Sequence, residues 1–112
     1  MPIIDIHPHI VSPDTKNYPL SPLGGTQSAW STERPTTYDD LLRAMDAAGV
    51  ARCVLIPPSW DADRNDLVLA AAQRWPERFA AMGRFDLDAP DGPARVARWC
   101  DQPGMRGFRI SF

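Results

Sequence analysis

Apolar and polar residues alternate along this chain with two periods, one typical of strands and one typical of helices. Apolar runs of strand type cover residues 2–9, 51–57, 79–85 and 106–112. The second run is continuously apolar at its centre, as in a strand that is buried on both faces. Helical spacing of apolar residues separates the runs, so the pattern predicts strands and helices in alternation.

Three helices are predicted, over residues 38–48, 66–75 and 93–100. Thr36 or Thr37 can cap the first helix, and Gly49 suits its C-terminal end. Asn65 is the expected N-cap of the second helix, which Pro76 ends. These signals place the helix boundaries within a few residues.

The resulting order is β-α-β-α-β-α-β, which implies a parallel sheet with right-handed crossovers. Four strands and three helices are half of a barrel that needs about 250 residues. We therefore expect an α/β fold, the first half of a (β/α)8 TIM barrel, with consecutive strands and helices on one face. Residues 1–112 would be the N-terminal half of a barrel, a truncated chain. An open four-stranded sheet is the alternative, but it would leave Phe108, Ile110 and Phe112 without cover.

Composition excludes several partners. The formal net charge is −2 with no basic block, which argues against a nucleic-acid partner. No apolar run approaches the length of a membrane span, and Asp5 interrupts the N-terminal run, so we expect no membrane association and a cytoplasmic protein. Cys53 and Cys100 are expected to be buried free thiols.

Candidate chemistry lies at the end of the first strand. His7 and His9, spaced i and i+2, would point to one face of a strand, about 7 Å apart along it, with Asp5 one step deeper. Two such imidazoles can converge on one cation, with metal–nitrogen distances of about 2.0–2.1 Å. Structural histidines are the alternative. Because barrel enzymes carry their chemistry at the C-terminal ends of strands, the position favours a site.

Several motifs resemble one family. The run Ile4-Asp5-Ile6-His7-Pro8-His9 is similar to the opening strand of the amidohydrolase superfamily, in the amidohydrolase-2 branch that includes lactonases and decarboxylases. Further similarities are the segment 18–22, the helix 41–50, Asn65 and the segment Gly104-Met105-Arg106-Gly107-Phe108-Arg109. The resemblance covers nearly the whole chain, and its first and last motifs are the most specific.

The resemblance implies a hydrolase that acts on a small, carboxylate-bearing lactone, ester or amide through the His7 and His9 pair. A metal-dependent decarboxylase of the same branch is one alternative, and a non-catalytic half-barrel that self-associates is another. It also implies a divalent metal, with zinc the expected ion, at His7 and His9. Some lactonase-like members lack a tightly held metal, so both readings stay open. The family's further His and Asp follow strands five and eight, so the isolated chain is expected to be inactive.

Arg109, Ser59 and Tyr18 are the predicted substrate contacts. In lactonase-like members the arginine that matches Arg109 binds a substrate carboxylate, although a structural ion pair is an equal alternative. Ser59 follows the second strand and could donate a hydrogen bond to substrate or simply form a turn. Tyr18 lies in a long loop, residues 10–35, that is either functional or an insertion. The strand edges would favour a homo-oligomer.

Overall fold

The computed structural model describes residues 1–20, 33, 35–61 and 63–110. Four strands form one parallel sheet within this part of the chain, in the order β1-β2-β3-β4. Their bounds are β1, Ile3–Asp5; β2, Val50–Leu55; β3, Phe79–Arg84; and β4, Met105–Arg109. The consecutive parallel order confirms the predicted α/β fold. Residues 111 and 112 of the predicted fourth strand, and residues 21–32 and 34 of the predicted loop, lie outside the described residues.

Helix α1, Tyr38–Ala48, has the predicted bounds because both ends carry strong local signals. At its start, Thr37 and Asp40 form a capping box in which each side chain accepts a hydrogen bond from the other's backbone N–H. At its end, Gly49 adopts a left-handed conformation with φ of 70°, which favours glycine.

The other helices differ from prediction in detail. Helix α2 spans Asp66–Arg74, and Asn65 is its N-cap residue as predicted, but the Asn65 side chain makes no capping hydrogen bond. Helix α3 spans Gly92–Ala97 and is followed by a separate 3-10 turn, Trp99–Asp101, where one longer helix was predicted. In this turn the indole of Trp99 donates a hydrogen bond to the Gly107 carbonyl, 2.8 Å away.

The hydrophobic core lies on one face of the sheet, between the strands and the helices. Alternate residues of β2 and β3 join residues of α1 and α2 in one cluster, whose central members are Cys53, Leu55, Phe79 and Ala81 with Met45, Leu67, Val68 and Ala71. Residues of opposite alternation, including Val54 and Met82, are only partly buried. This arrangement confirms the predicted placement of the helices on one side of the sheet, and no described helix packs on the other face.

The burial predicted for Cys100 is wrong. Strand β1, which pairs only with β2 among the described strands, is exposed along its length, with Ile3 55% and Ile4 50% exposed. Cys100 is also exposed, since it lies in the 3-10 turn beside Trp99, which takes the buried position.

Candidate functional site at the strand ends

His7 and His9 follow β1 and are not part of it. The strand ends at Asp5, whose carboxylate accepts the His7 backbone N–H at 3.0 Å and so replaces a sheet partner. Pro8 then has no N–H to offer a neighbouring strand. The two imidazole rings nevertheless converge, with centroids 5.2 Å apart and planes at 88°.

The carboxyl end of β2 holds the His9 ring in place. Its Nδ1 lies 2.6 Å from the carbonyl oxygen of Ile56, which can only accept, so we assign the proton to Nδ1. The Ile56 N–H in turn donates to the Pro8 carbonyl at 3.2 Å. Burial lowers the pKa of His9 below its ordinary value, and the nearby charges of His7 and Arg109 lower it further, against the opposing effect of the Ile56 hydrogen bond. The imidazole is therefore neutral at pH 7.

Arg109 joins this pair from the far edge of the sheet. Its Nη1 lies 3.4 Å from His7 Nε2, and because a guanidinium only donates, His7 accepts there. Three strand spacings, about 14 Å in all, separate β1 from β4 in a flat sheet. A direct contact between side chains of these edges fits a sheet that curls toward its open face.

The other two predicted substrate contacts lie elsewhere. The Tyr18 ring packs against the helix-side core, with the Arg64 guanidinium 5.8 Å from its centroid. Ser59 is exposed and begins the 3-10 turn after β2, Ser59–Asp61. The structure thus brings together His7, His9 and Arg109, and the substrate roles of Tyr18 and Ser59 stay predictions.

Sequence reasoning missed two polar groups at the same ends of the strands. Asp61 closes the turn after β2, and burial raises the pKa of its carboxyl to about 6, with Arg64 and Arg84 acting against that rise and Asp66 with it. Arg84 ends β3, and its Nε is buried with no hydrogen-bond partner among the described residues. The available signal was that Arg84 is the last residue of a strand and that Asp61 lies in the turn that follows one.

Asp61→Asn should stabilise the protein at neutral pH. The folded state raises the carboxyl pKa from 3.8 to about 6, so stability is lost as pH rises through this window. Such a difference is at most about 3 kcal/mol, and partial exposure to solvent reduces it to about 1–2 kcal/mol. Urea unfolding at pH 7.5 should show this gain in the free energy of unfolding. At pH 4 the gain should shrink to a few tenths of a kcal/mol, because the wild-type carboxyl is then largely protonated in the folded state.

The matched control is Asp63→Asn, at an exposed position two residues further on, which should change stability by less than about 0.5 kcal/mol at either pH. A gain for Asp61→Asn that is equal at the two pH values would contradict the assignment of the penalty to the charged carboxylate.

The donor set only partly fits a metal. Imidazole is a ligand that zinc accepts, and the Nδ1–H to carbonyl bond of His9 is the usual support for a metal-bound histidine. Catalytic zinc sites, however, use three protein ligands, and the described residues hold no group of three His, Cys, Asp or Glu that could bind a metal ion. The Arg109 guanidinium beside His7 also opposes a cation there. The metal role of His7 and His9 stays a prediction.

The described residues form a parallel α/β fold with polar groups at the carboxyl ends of the strands. A family model described as amidohydrolase matches residues 4–112, and the chain belongs to this family. No curated protein matches the chain. None of the described helices is long and apolar enough to cross a membrane.

Two solved structures share the fold. A probable 2-pyrone-4,6-dicarboxylic acid hydrolase from Acinetobacter baumannii, with citric acid bound, has a TM-score of 0.70 and 22% identity, over 98% of this chain and 38% of that one. A 2,6-dihydroxybenzoate decarboxylase from Rhizobium has a TM-score of 0.67 and 20% identity, over 96% of this chain and 38% of that one. The chain therefore spans 38% of the length of each, and the likeness is one of fold.

Proposed function

We propose that His7, His9 and Arg109 form the carboxylate-binding part of an active site that hydrolyses a small lactone, ester or amide. The observation that carries the proposal is the approach of Arg109 from β4 to within 3.4 Å of His7 Nε2, beside the His9 ring. Two imidazoles and a guanidinium from opposite edges of the sheet thus face one another at the mouth of the fold, where barrel enzymes bind substrate.

Each side chain suits a distinct task. The planar fork of Arg109 matches a carboxylate and forms no ion pair with an acidic side chain of the described chain. His9 is neutral at pH 7 because burial lowers its pKa, and this is the protonation state that a general base requires. His7 links the two, since it accepts from Arg109 and its ring contacts that of His9.

The names of the structural neighbours support an acidic substrate. One is described as acting on a dicarboxylic acid and holds citric acid, and the other acts on a benzoate. Family members are generally metal-dependent, and a divalent ion would polarise the substrate carbonyl when bound. A cytoplasmic location, self-association through strand edges, and the status of this chain as the N-terminal half of a barrel are further parts of the proposal.

A decarboxylase is the second candidate, because a decarboxylase resembles this chain nearly as closely as a hydrolase does. The two reactions release different products from an acidic substrate. Decarboxylation releases carbon dioxide and leaves one carboxylate fewer, whereas hydrolysis of a lactone or ester adds one carboxylate. Titration of released acid, together with detection of carbon dioxide, separates the two candidates.

Arg109→Lys should weaken binding of a carboxylate ligand by about 1–3 kcal/mol. Lysine keeps the charge but loses the bidentate fork, so the loss reports on recognition of a planar carboxylate. Calorimetry with benzoate as the probe should show the loss, and the uncharged analogue methyl benzoate should bind both proteins alike. Where activity is measurable, kcat/KM for an acidic substrate should fall in parallel.

Arg106→Gln is the control, because Arg106 lies on the same strand, is exposed, and lies three residues away from Arg109. It should leave benzoate affinity unchanged. If Arg109→Lys weakens benzoate and methyl benzoate equally, Arg109 supports the fold and does not bind the acid group, and the proposed function fails.

A further inference from the structure

Arg84 and Arg109 lie next to each other on the adjacent strands β3 and β4. They are partners in the parallel register of β3 and β4, so their Cα atoms lie about 4.8 Å apart and their side chains share a face. The preceding residues identify that face. A Cβ on Gly83 would collide with Met105 and Trp99 of the core, and the Phe108 ring packs on Trp99. Arg84 and Arg109 therefore project from the opposite, open face.

Neither guanidinium forms an ion pair with an acidic side chain of the described residues. All 14 acidic residues lie within the described residues, and the ion pairs of the described chain use five other arginines: Arg43, Arg64, Arg78, Arg95 and Arg98. Arg109 is in contact with a histidine, and Arg84 has a buried Nε without a hydrogen-bond partner among the described residues. Two like charges at adjacent register positions repel, and an unsatisfied buried donor is costly. A bound anion would relieve both penalties.

The local backbone fixes Arg84 in this position. The Asn65 side chain accepts the Arg84 backbone N–H at 2.7 Å and donates to its carbonyl at 3.0 Å. Asp61 is close enough to Arg84 for the guanidinium charge to lower the pKa of the Asp61 carboxyl. The Asp61 carboxylate nevertheless forms no ion pair within 4.0 Å. The arginine is thus held rigidly at the strand end with its guanidinium uncommitted to a carboxylate.

We propose that Arg84 is a specificity-determining residue that binds a second carboxylate, so that the site selects substrates with two acid groups over those with one. Arg109 would hold the carboxylate nearer to His7, and Arg84 the other. This inference rests on the proposed function, because it takes Arg109 as the first carboxylate site. Each guanidinium offers parallel N–H donors that match a carboxylate in two-point contact.

The test compares benzene-1,3-dicarboxylate with benzoate by calorimetry. The wild-type protein should bind the diacid at least about tenfold more tightly, the gain expected of one charged hydrogen-bonded contact. Arg84→Gln should abolish this preference while benzoate affinity stays within about twofold. Arg106→Gln also removes one positive charge, but from an exposed position of β4, and this variant should keep the preference for the diacid.

Arg84→Lys keeps the charge and the aliphatic stem, and it tests the proposal even if Arg84→Gln does not fold. It should lose part of the preference, about threefold or more, with an unchanged circular dichroism spectrum. A full preference for the diacid in either folded Arg84 variant would overturn the role of Arg84. If benzoate binding proves independent of Arg109, the proposed function itself fails, which is a different result from loss of the diacid preference alone.

Discussion

Trp99→Ala should lower the free energy of unfolding by about 3–5 kcal/mol. Trp99 is 4% exposed, and its ring contacts those of Phe85 and Phe108, with centroids 5.3 Å and 5.8 Å away. Its indole N–H also donates to the Gly107 carbonyl in β4. Truncation therefore leaves a large cavity and an unsatisfied strand carbonyl. Such a loss is a large part of the total stability of a small domain, about 5–15 kcal/mol.

Urea unfolding followed by circular dichroism measures this loss. Trp99→Phe keeps most of the ring volume but removes the donor, and it should cost about 1–3 kcal/mol. Val96→Ala, at a 45% exposed position three residues earlier, is the control and should cost less than about 0.5 kcal/mol. A loss below about 1 kcal/mol for Trp99→Ala would show that the ring does not anchor β4 to the core.

Asn65→Ala should cost about 2–4 kcal/mol, far more than loss of a helix cap. The amide forms two hydrogen bonds to the backbone of Arg84 and a third, 3.2 Å long, to the Asp63 carbonyl. Removing it leaves two backbone groups at the end of β3 unsatisfied, each worth about 1–3 kcal/mol where burial is complete. The end of β3 is partly buried, so we expect the lower half of the combined range.

Asn65→Asp separates the two directions of hydrogen bonding, because it keeps the acceptor for the Arg84 N–H but loses the donor to its carbonyl. It should lie between wild type and Asn65→Ala in stability. Asn17→Ala is the control, since the Asn17 side chain bonds only to Asp14 at an exposed position among the described contacts. If Asn65→Ala lowers the free energy of unfolding no more than the control does, the Asn65 hydrogen bonds to the Arg84 backbone do not stabilise the end of β3.

Local signals explain what the sequence could predict. The predicted bounds of helix α1 agree with the structure at both ends, because the local residues Thr37, Asp40 and Gly49 determine where the helix begins and ends. The parallel strand order followed from the alternation of strands and helices, which leaves few topologies. His7 and His9 could be chosen from their spacing and their position after the first strand, and Arg109 from the motif that resembles the family.

The errors come from contacts between distant residues. Asn65 occupies a capping position in sequence, but its amide bonds to a strand 19 residues away. Trp99 ends the predicted third helix early because its indole bonds to β4. Asp61 and Arg84 were missed because each looks like an ordinary surface charge until burial and register are known.

The pKa of His9, measured by heteronuclear NMR titration, tests the convergence of His7, His9 and Arg109 most directly. The structure predicts a pKa below the ordinary 6.5, because of burial and then the charges of His7 and Arg109, and a proton on Nδ1 in the neutral ring. Arg109→Gln should raise the pKa, as should saturating benzoate, which neutralises the guanidinium; Arg106→Gln should leave it unchanged. A His9 that titrates at 6.5 or above, and responds to neither change at Arg109, would contradict the site.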